Sequence, residues 1–331
     1  MISFITMADI HMADRNPSSR IDDYPAAIKN KLQQVGMLTS KIGADFVLCS
    51  GDWFHSKSAN RTSHETTAWM IRELLSWKVP IISIVGSHDF PWSNLYRIKR
   101  QPIGVLANSG AITLVDSRGE REDDPLFQKD WTFEKGGISV RVVGLNDDGR
   151  ISLNDFSALP TYQRGEETYL ISMAHTFASL KGGSFFDNPV LSYRDLAQLC
   201  DVDVHLFGHW HRDQGVEEVD GKYFINVGAL SRGAYNDENI DRHPKVTICR
   251  LDGHTTKITP VRLKVSPASE VFDMEKKEAL KEKEQRMNSF IKELSSTFQE
   301  EEEGVSLDID SLQIDKETRD MVNSYLEMAR Q

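Results

Sequence analysis

Nine short runs rich in valine, isoleucine and phenylalanine limit what this chain can fold into. They are Ile2–Ala8, Asp45–Cys49, Pro80–Val85, Ala111–Val115, Ile138–Gly144, Thr168–Ala174, Val202–Phe207, Tyr223–Val227 and Lys245–Leu251. Their length and their β-branched and aromatic content favour strands over helices. Two segments between the early runs carry a helical period instead. Ala26–Ile42 spaces Ile28, Leu32, Val35, Leu38 and Ile42 as one helix face, and Ser63–Trp77 does so with Ala68, Ile71, Leu74 and Leu75. This alternation predicts an α/β domain with parallel strands early and hairpins late. The polar stretch 117–136 reads as an exposed loop.

Composition changes after Pro267. The charge-dense stretch 270–299 places Leu280, Met287, Ile291, Leu294 and Phe298 on one helix face, and a second helix is expected from Asp315, with Met321, Val322, Tyr325 and Leu326 on one side. The expected organisation is a main domain over 1–265 and a charged helical C-terminal region over 266–331. The apolar stripes of that region suit either packing on the main domain or docking a partner helix. The net charge is −11, but residues 266–331 hold 17 acids and 9 bases, which leaves 33 acids and 30 bases for residues 1–265. A main body this close to neutral does not exclude nucleic acid as a ligand. Cys49, Cys200 and Cys249 are far apart, and two of them lie in strand-like runs. They read as buried free thiols of a reducing compartment, which excludes a disulfide scaffold and a cysteine zinc site. No apolar run approaches the roughly 20 residues of a membrane span. The start, Met1–Thr6, lacks a basic region and a small-residue cleavage site. A cytoplasmic protein without membrane attachment is expected.

Aspartates and histidines gather just past the strand-like runs. Asp9 and His11 follow the first and Gly51-Asp52-Trp53-Phe54-His55 the second. Gly86-Ser87-His88-Asp89 follows the third, His175 a later one, and Gly208-His209-Trp210-His211 another. Loops beyond strand C-terminal ends are where open α/β folds hold ligands. Imidazole and carboxylate together suit borderline divalent cations. In Asp9-Ile10-His11 and again at His209 and His211 the two polar side chains flank one residue, so an extended backbone turns both to one side. Asp52, with two oxygens, can bridge two ions. Such a pair, roughly 3.5–4 Å apart, is suited to phosphoester cleavage. His64, His205, His243 and His254 fall outside this order and are expected to be structural.

The ordered set Asp-x-His, Gly-Asp, Gly-x-His-Asp, His, Gly-His-x-His resembles the signature of the calcineurin-like metallophosphoesterase superfamily over about residues 1–265. Gly51-Asp52-Trp53-Phe54-His55 is similar to the Gly-Asp-x-Phe-His form of SbcD-type double-strand-break repair nucleases, and Asn226–Arg232 is similar to their late glycine-serine-arginine stretch. The resemblance implies a metallophosphoesterase β-sandwich of two mixed sheets flanked by helices. It also implies two divalent ions, Mn2+ by family habit. Asp9, His11, Asp52 and His211 would hold the first ion, and Asp52, the Ser87 position, His175 and His209 the second. His88 would act near the leaving oxygen, oriented by a hydrogen bond to Asp89, and His55 would contact the phosphate. The implied activity is 3′-to-5′ exonuclease and single-strand endonuclease action on DNA. The implied partners are an SMC-like coiled-coil ATPase of the SbcC type, docked on the C-terminal region, and a second nuclease subunit in a homodimer. A small-substrate phosphodiesterase or phosphatase and a non-catalytic scaffold are the rival readings. One position departs from the pattern, because the family has asparagine where this chain has Ser87. A serine hydroxyl has a shorter reach, so the second ion is expected to bind more weakly than the first.

Overall fold

The computed structural model describes residues 1–274 apart from 91–94, 119–123, 148–150, 159–161 and 186–187. Strands β1 (Ile2–Met7), β2 (Phe46–Cys49), β3 (Ile81–Ser83), β4 (Thr113–Val115) and β5 (Phe127–Gln128) pair in parallel. Helices α1 (Tyr24–Ile42), α2 (His64–Ser76) and α3 (Pro102–Asn108) occur between them in the chain. Then come β6 (Trp131–Lys135), β7 (Ile138–Leu145), α4 (Leu153–Ala158) and β8 (Tyr169–His175). The small strands β9 (Ala178–Ser179), β10 (Gly183–Phe185) and β11 (Asn188–Ser192) follow, with α5 (Tyr193–Leu199) behind them. The chain continues through β12 (Val204–Gly208), β13 (Gly215–Val219), β14 (Lys222–Asn226), β15 (Lys245–Leu251) and β16 (Thr256–Arg262). One mixed sheet runs β16-β15-β1-β2-β3-β4-β5, with β15 antiparallel to β1. The other runs β13-β14-β12-β8-β7-β6, with β14, β12, β8 and β7 parallel and its two edge strands antiparallel.

Strand periodicity separates three apolar layers. On β1, Ile2 and Phe4 face the second sheet and meet residues such as Val140, Ile171, Met173 and Leu206, while Ile5 and Met7 point to the other side, onto Ile28, Leu32 and Val35 of α1. The outer face of the second sheet packs Val143, Leu170, Phe207 and Phe224 against Phe156, Tyr193 and Leu196. The central strands are therefore buried on both faces, which is why they read as unbroken apolar runs. This is the two-sheet sandwich with flanking helices that the sequence implies. Part of the expected loop 117–136 is strand, since β5 and β6 fall within it. β6 is an edge strand, half-buried and exposed by turns, and its alternation was hidden by polar neighbours. All three cysteines are free and buried. No described helix is long and apolar enough to cross a membrane.

α1 starts where its chemistry dictates. The Asp23 side chain accepts from the Ala26 amide at 2.9 Å, Pro25 occupies the first turn, and Gly43 ends the helix with φ 61°. Lys31 stands on its buried face, 2 % exposed. Burial first, then Arg20, Arg242 and Arg232, push its ammonium down to about 7. Between that value and the ordinary lysine range the unfolded chain holds the extra proton, so stability rises with pH across that window and carries the full penalty below it. Lys31→Met is expected to raise Tm by several degrees at pH 6, with the gain closing by about pH 10. Thermal unfolding followed by circular dichroism checks this; a gain independent of pH means that Lys31 is not buried as a cation.

The compact unit formed by this sandwich runs from Met1 to Asp273. Its last residues, including the short helix Ala268–Val271, close on the loop after β1. Ile21 donates to the Val271 carbonyl at 3.0 Å, Asp273 donates to Ser19 at 3.3 Å, and Arg20 forms an isolated bridge with Phe272. Phe272 is 1 % exposed, and the Arg20 and Arg232 guanidinium carbons each lie 5.4 Å from its ring centroid. The expected stripe from Leu280 onward and the helix from Asp315 lie outside the described residues.

Candidate metal centre

The parallel strands of both sheets end at one rim, and the polar residues stand there. Asp9 and His11 follow β1, Asp52 and His55 follow β2, Ser87 to Asp89 follow β3, His175 ends β8, and His209 and His211 follow β12. The loops after β1 and β2 continue the pairing of their strands. Asp9, His11 and Met12 donate to the carbonyls of Gly51, Asp52 and Trp53 at 3.0, 3.0 and 2.9 Å, and His55 donates back to Met12 at 2.9 Å. Three bonds stitch the sheets together at the rim. His175 Nδ1 donates to the Ser50 carbonyl at 2.7 Å, the His209 amide to Asp9 Oδ1 at 3.1 Å, and the Asp147 amide to the Val85 carbonyl at 3.1 Å.

Close approach forces the glycines here. Gly51 has φ 90°, and a Cβ on it would lie 2.7 Å from the Gly86 nitrogen and 2.8 Å from His175 Nδ1; a Cβ on Gly86 would overlap Asp52 Oδ1. Among the described residues six non-glycines have positive φ, and four of them are Asp9, His11, Asp52 and His209, at 53°, 50°, 57° and 83°. Left-handed backbone is costly for such side chains and collects at functional sites.

Ligand atoms converge in two groups. One oxygen or nitrogen each from Asp9, His11, Asp52 and His211 lie within 4.8 Å of one another, and so do those of Asp147, His175 and His209. Asp52 Oδ2 stands between the groups, 3.6 Å from His11 Nε2 and 3.3 Å from His175 Nε2. Burial opposes the Asp52 charge, but His175 and then His11 outweigh it and hold the carboxyl far below the ordinary range. Asp9 is pushed up to about 7, mainly by burial.

These residues fit divalent cations on their own chemistry. A carbonyl oxygen can only accept, so His175 Nδ1 carries a proton in its bond to Ser50, and the lone pair of the neutral ring lies on Nε2. That Nε2 is buried without a hydrogen-bond partner and faces the Asp52 carboxylate. A lone pair set against a carboxylate is stable only with a proton or a cation between them. His11 Nε2 and His211 Nε2 lie 2.9 Å apart, the first 3.6 Å from Asp52 Oδ2 and the second 3.9 Å from Asp9 Oδ1.

His88 and His55 form a third group with His11. The His55 and His88 rings stack at 5.8 Å, and His88 packs edge-on to His11 at 4.8 Å. Here one sequence expectation changes. Asp89 does not orient the His88 ring. Its carboxylate accepts four backbone amides, from Asp52, Trp53, Phe54 and Gly86, at 2.8–3.1 Å. It is thus the post that fixes the loops after β2 and β3, and its oxygens are spent on that task. Burial and then Asp52 push its carboxyl up to about 8, against the pull of the amides. His88 is oriented instead by the His55 carbonyl, which accepts from Nδ1 at 2.7 Å, and its amide donates to Asp52 Oδ1 at 2.7 Å. Ser87 lies half-buried between Gly86 and His88. His205, expected to be structural, is fully buried and shares a 2.7 Å bond with Ser172 Oγ.

Two features escaped the sequence reading. Asp147 joins the second group, although it stands just past the run Ile138–Gly144, the same signal that marks the other ligands. The other is a brace behind the loop after β1. Leu230 and Ser231 donate to the carbonyls of Ala8 and Asp9 at 2.9 and 3.2 Å, Arg242 donates to the Ala229 and Ser231 carbonyls, and Arg20 donates to that of Arg232. The Asn226–Arg232 stretch therefore supports the site from behind.

A family model of calcineurin-like phosphoesterases matches residues 2–213. Among solved structures, a dimetal phosphatase from Danio rerio is similar at 15% identity, with 80% of this chain and 97% of that one covered and a TM-score of 0.51. The protein TT1561 of Thermus thermophilus aligns at 13% identity over 80% of this chain and 99% of its own, with a TM-score of 0.46. No curated protein sequence matches the chain. The Danio rerio likeness is one of fold, while the family match spans well over half of the residues and includes most of the convergent side chains. The chain belongs to the calcineurin-like phosphoesterase family.

Proposed function

We propose that this chain is a metal-dependent phosphodiesterase that cuts DNA, with exonuclease and single-strand endonuclease action, as the nuclease subunit beside an SMC-like coiled-coil ATPase. The observation that carries this reading is the three-histidine group. His55 and His88 stack at the open side of the ligand cluster, where a phosphodiester's leaving oxygen needs a proton donor. Asp9, His11, Asp52 and His211 would hold one divalent ion, and Asp52, His175 and His209 another, with manganese the ion that family resemblance favours. Divalent ions held there supply Lewis acidity and lower the pKa of water. The chain's own residues do the rest. The His55 carbonyl fixes the His88 tautomer with the proton on Nδ1, so Nε2 is the atom that takes up and releases a proton at the leaving oxygen. His55 offers a further imidazole to a phosphate oxygen. A cleft of about 220 Å³ opens beside them, lined by His11, Tyr24, His55, His211, Ser231 and Arg242, and gives the departing strand a place to lie.

Purified protein with manganese is expected to shorten linear double-stranded DNA from its ends and to nick single-stranded circles, beside a chromogenic phosphodiester as reference. Turnover of the chromogenic compound with both DNAs intact would replace this reading with that of a small-substrate phosphodiesterase or phosphatase. Loss of all activity with metal bound would leave the scaffold reading. Co-purification with a coiled-coil ATPase and sedimentation as a dimer are the expected signs of the partners.

A further inference from the structure

The family's asparagine is replaced by Ser87, and the backbone cannot compensate by moving inward, since Gly86 is already packed against Asp52 and His175. A carboxylate from the other sheet reaches His175 and His209 instead. Asp147 follows β7, and its amide donates to the Val85 carbonyl at 3.1 Å, two residues before Ser87. The preceding Asn146 is fully buried and locks this junction. Its Oδ1 accepts from the Val85 amide at 2.6 Å, and its Nδ2 donates to the Val115 carbonyl at 3.1 Å. Asp147 is thereby fixed alongside the loop that carries Ser87. Its Oδ2 lies 3.8 Å from His209 Nδ1, and its ligand oxygen is within 4.8 Å of those of His175 and His209. The buried His175, whose Nε2 is without a hydrogen-bond partner, belongs to the same group.

We propose that Asp147 is a ligand of the second ion, taking the place that the missing asparagine amide leaves at Ser87. This rests on the two-ion reading above. The second site is then His175, His209, Asp147 and the shared Asp52, a donor set of two imidazoles and two carboxylates that suits manganese or zinc. It also reverses the expectation drawn from Ser87 alone. A neutral amide has been exchanged for an anion, so the second ion is held no more weakly than the first.

The test is manganese binding by calorimetry, with electron paramagnetic resonance to detect the spin-coupled pair, and it does not depend on hydrolysis. Wild type is expected to bind two ions per chain with a coupled signal. Asp147→Ala is expected to bind one, with the coupled signal gone and the affinity for a second ion reduced at least a hundredfold. Ser87→Asn alone is expected to change little. Ser87→Asn combined with Asp147→Ala is expected to restore the second ion, which a merely structural role for Asp147 does not explain. Should Asp147→Ala fail to fold, the isosteric Asp147→Asn serves, with a weaker second ion expected. Two ions at wild-type affinity in the folded Asp147 variants overturn this proposal and leave the two-ion reading intact. A wild type that binds fewer than two ions overturns both.

Discussion

Asp52→Ala is expected to lose hydrolysis, to below about a thousandth of wild type, and to bind neither ion tightly. Asp52 Oδ2 is placed between both ligand groups, so its removal weakens each. Its other oxygen accepts the His88 amide at 2.7 Å, so the same change also loosens the histidine at the leaving oxygen. Both effects fall on one machinery, so they do not simply multiply, and the loss of the ions dominates. Metal content of the purified variant and its activity in excess manganese are the measurements. Wild-type cleavage in that variant would sink the shared-ligand assignment. The fold should survive, because Asp89 accepts four of the amides that hold these loops, whereas Asp52 accepts that of His88.

His88→Gln is the complementary case. His88 has no place in either ion group as proposed, so the variant should keep both ions and its affinity for DNA while kcat falls by about 10²–10⁴. Glutamine retains an N–H that can meet the His55 carbonyl, so a loss of rate reports the missing proton transfer rather than a displaced loop. A drop in bound metal in this variant would place His88 among the ligands.

Much of this candidate site was legible in the sequence because each candidate ligand stands just beyond an apolar run, and strand C-terminal ends in parallel sheets gather at one rim. Asp9, His11, Asp52, His175, His209 and His211 follow from that rule and from their order. What the sequence could not convey is where side chains spend their hydrogen bonds. Asp89 adjoins His88 in the chain, but the pull of four nearby amides turns its carboxylate toward the backbone. Asp147 obeys the strand-end rule, yet the family pattern has no ligand after β7 to draw the eye to it. Arg20, Arg232 and Arg242 are 222 residues apart at their widest in the chain and are brought together by the fold behind the loop after β1. Edge strands such as β6 were missed for a plainer reason, since a half-exposed strand among charged residues looks like a loop.

The closure of the last residues of the body over the loop after β1 bears on inheritance. Phe272, gripped between Arg20 and Arg232, and Val271 and Asp273, bonded to Ile21 and Ser19, tie the end of the body to the loop that follows Asp9 and His11. A recombination joint placed between residues 265 and 273 would sever that tie and deprive the site of its footing. A joint placed after Asp273 leaves every one of these contacts in place. The eight residues from Ser266 to Asp273 are therefore expected to be passed on together with the site they secure.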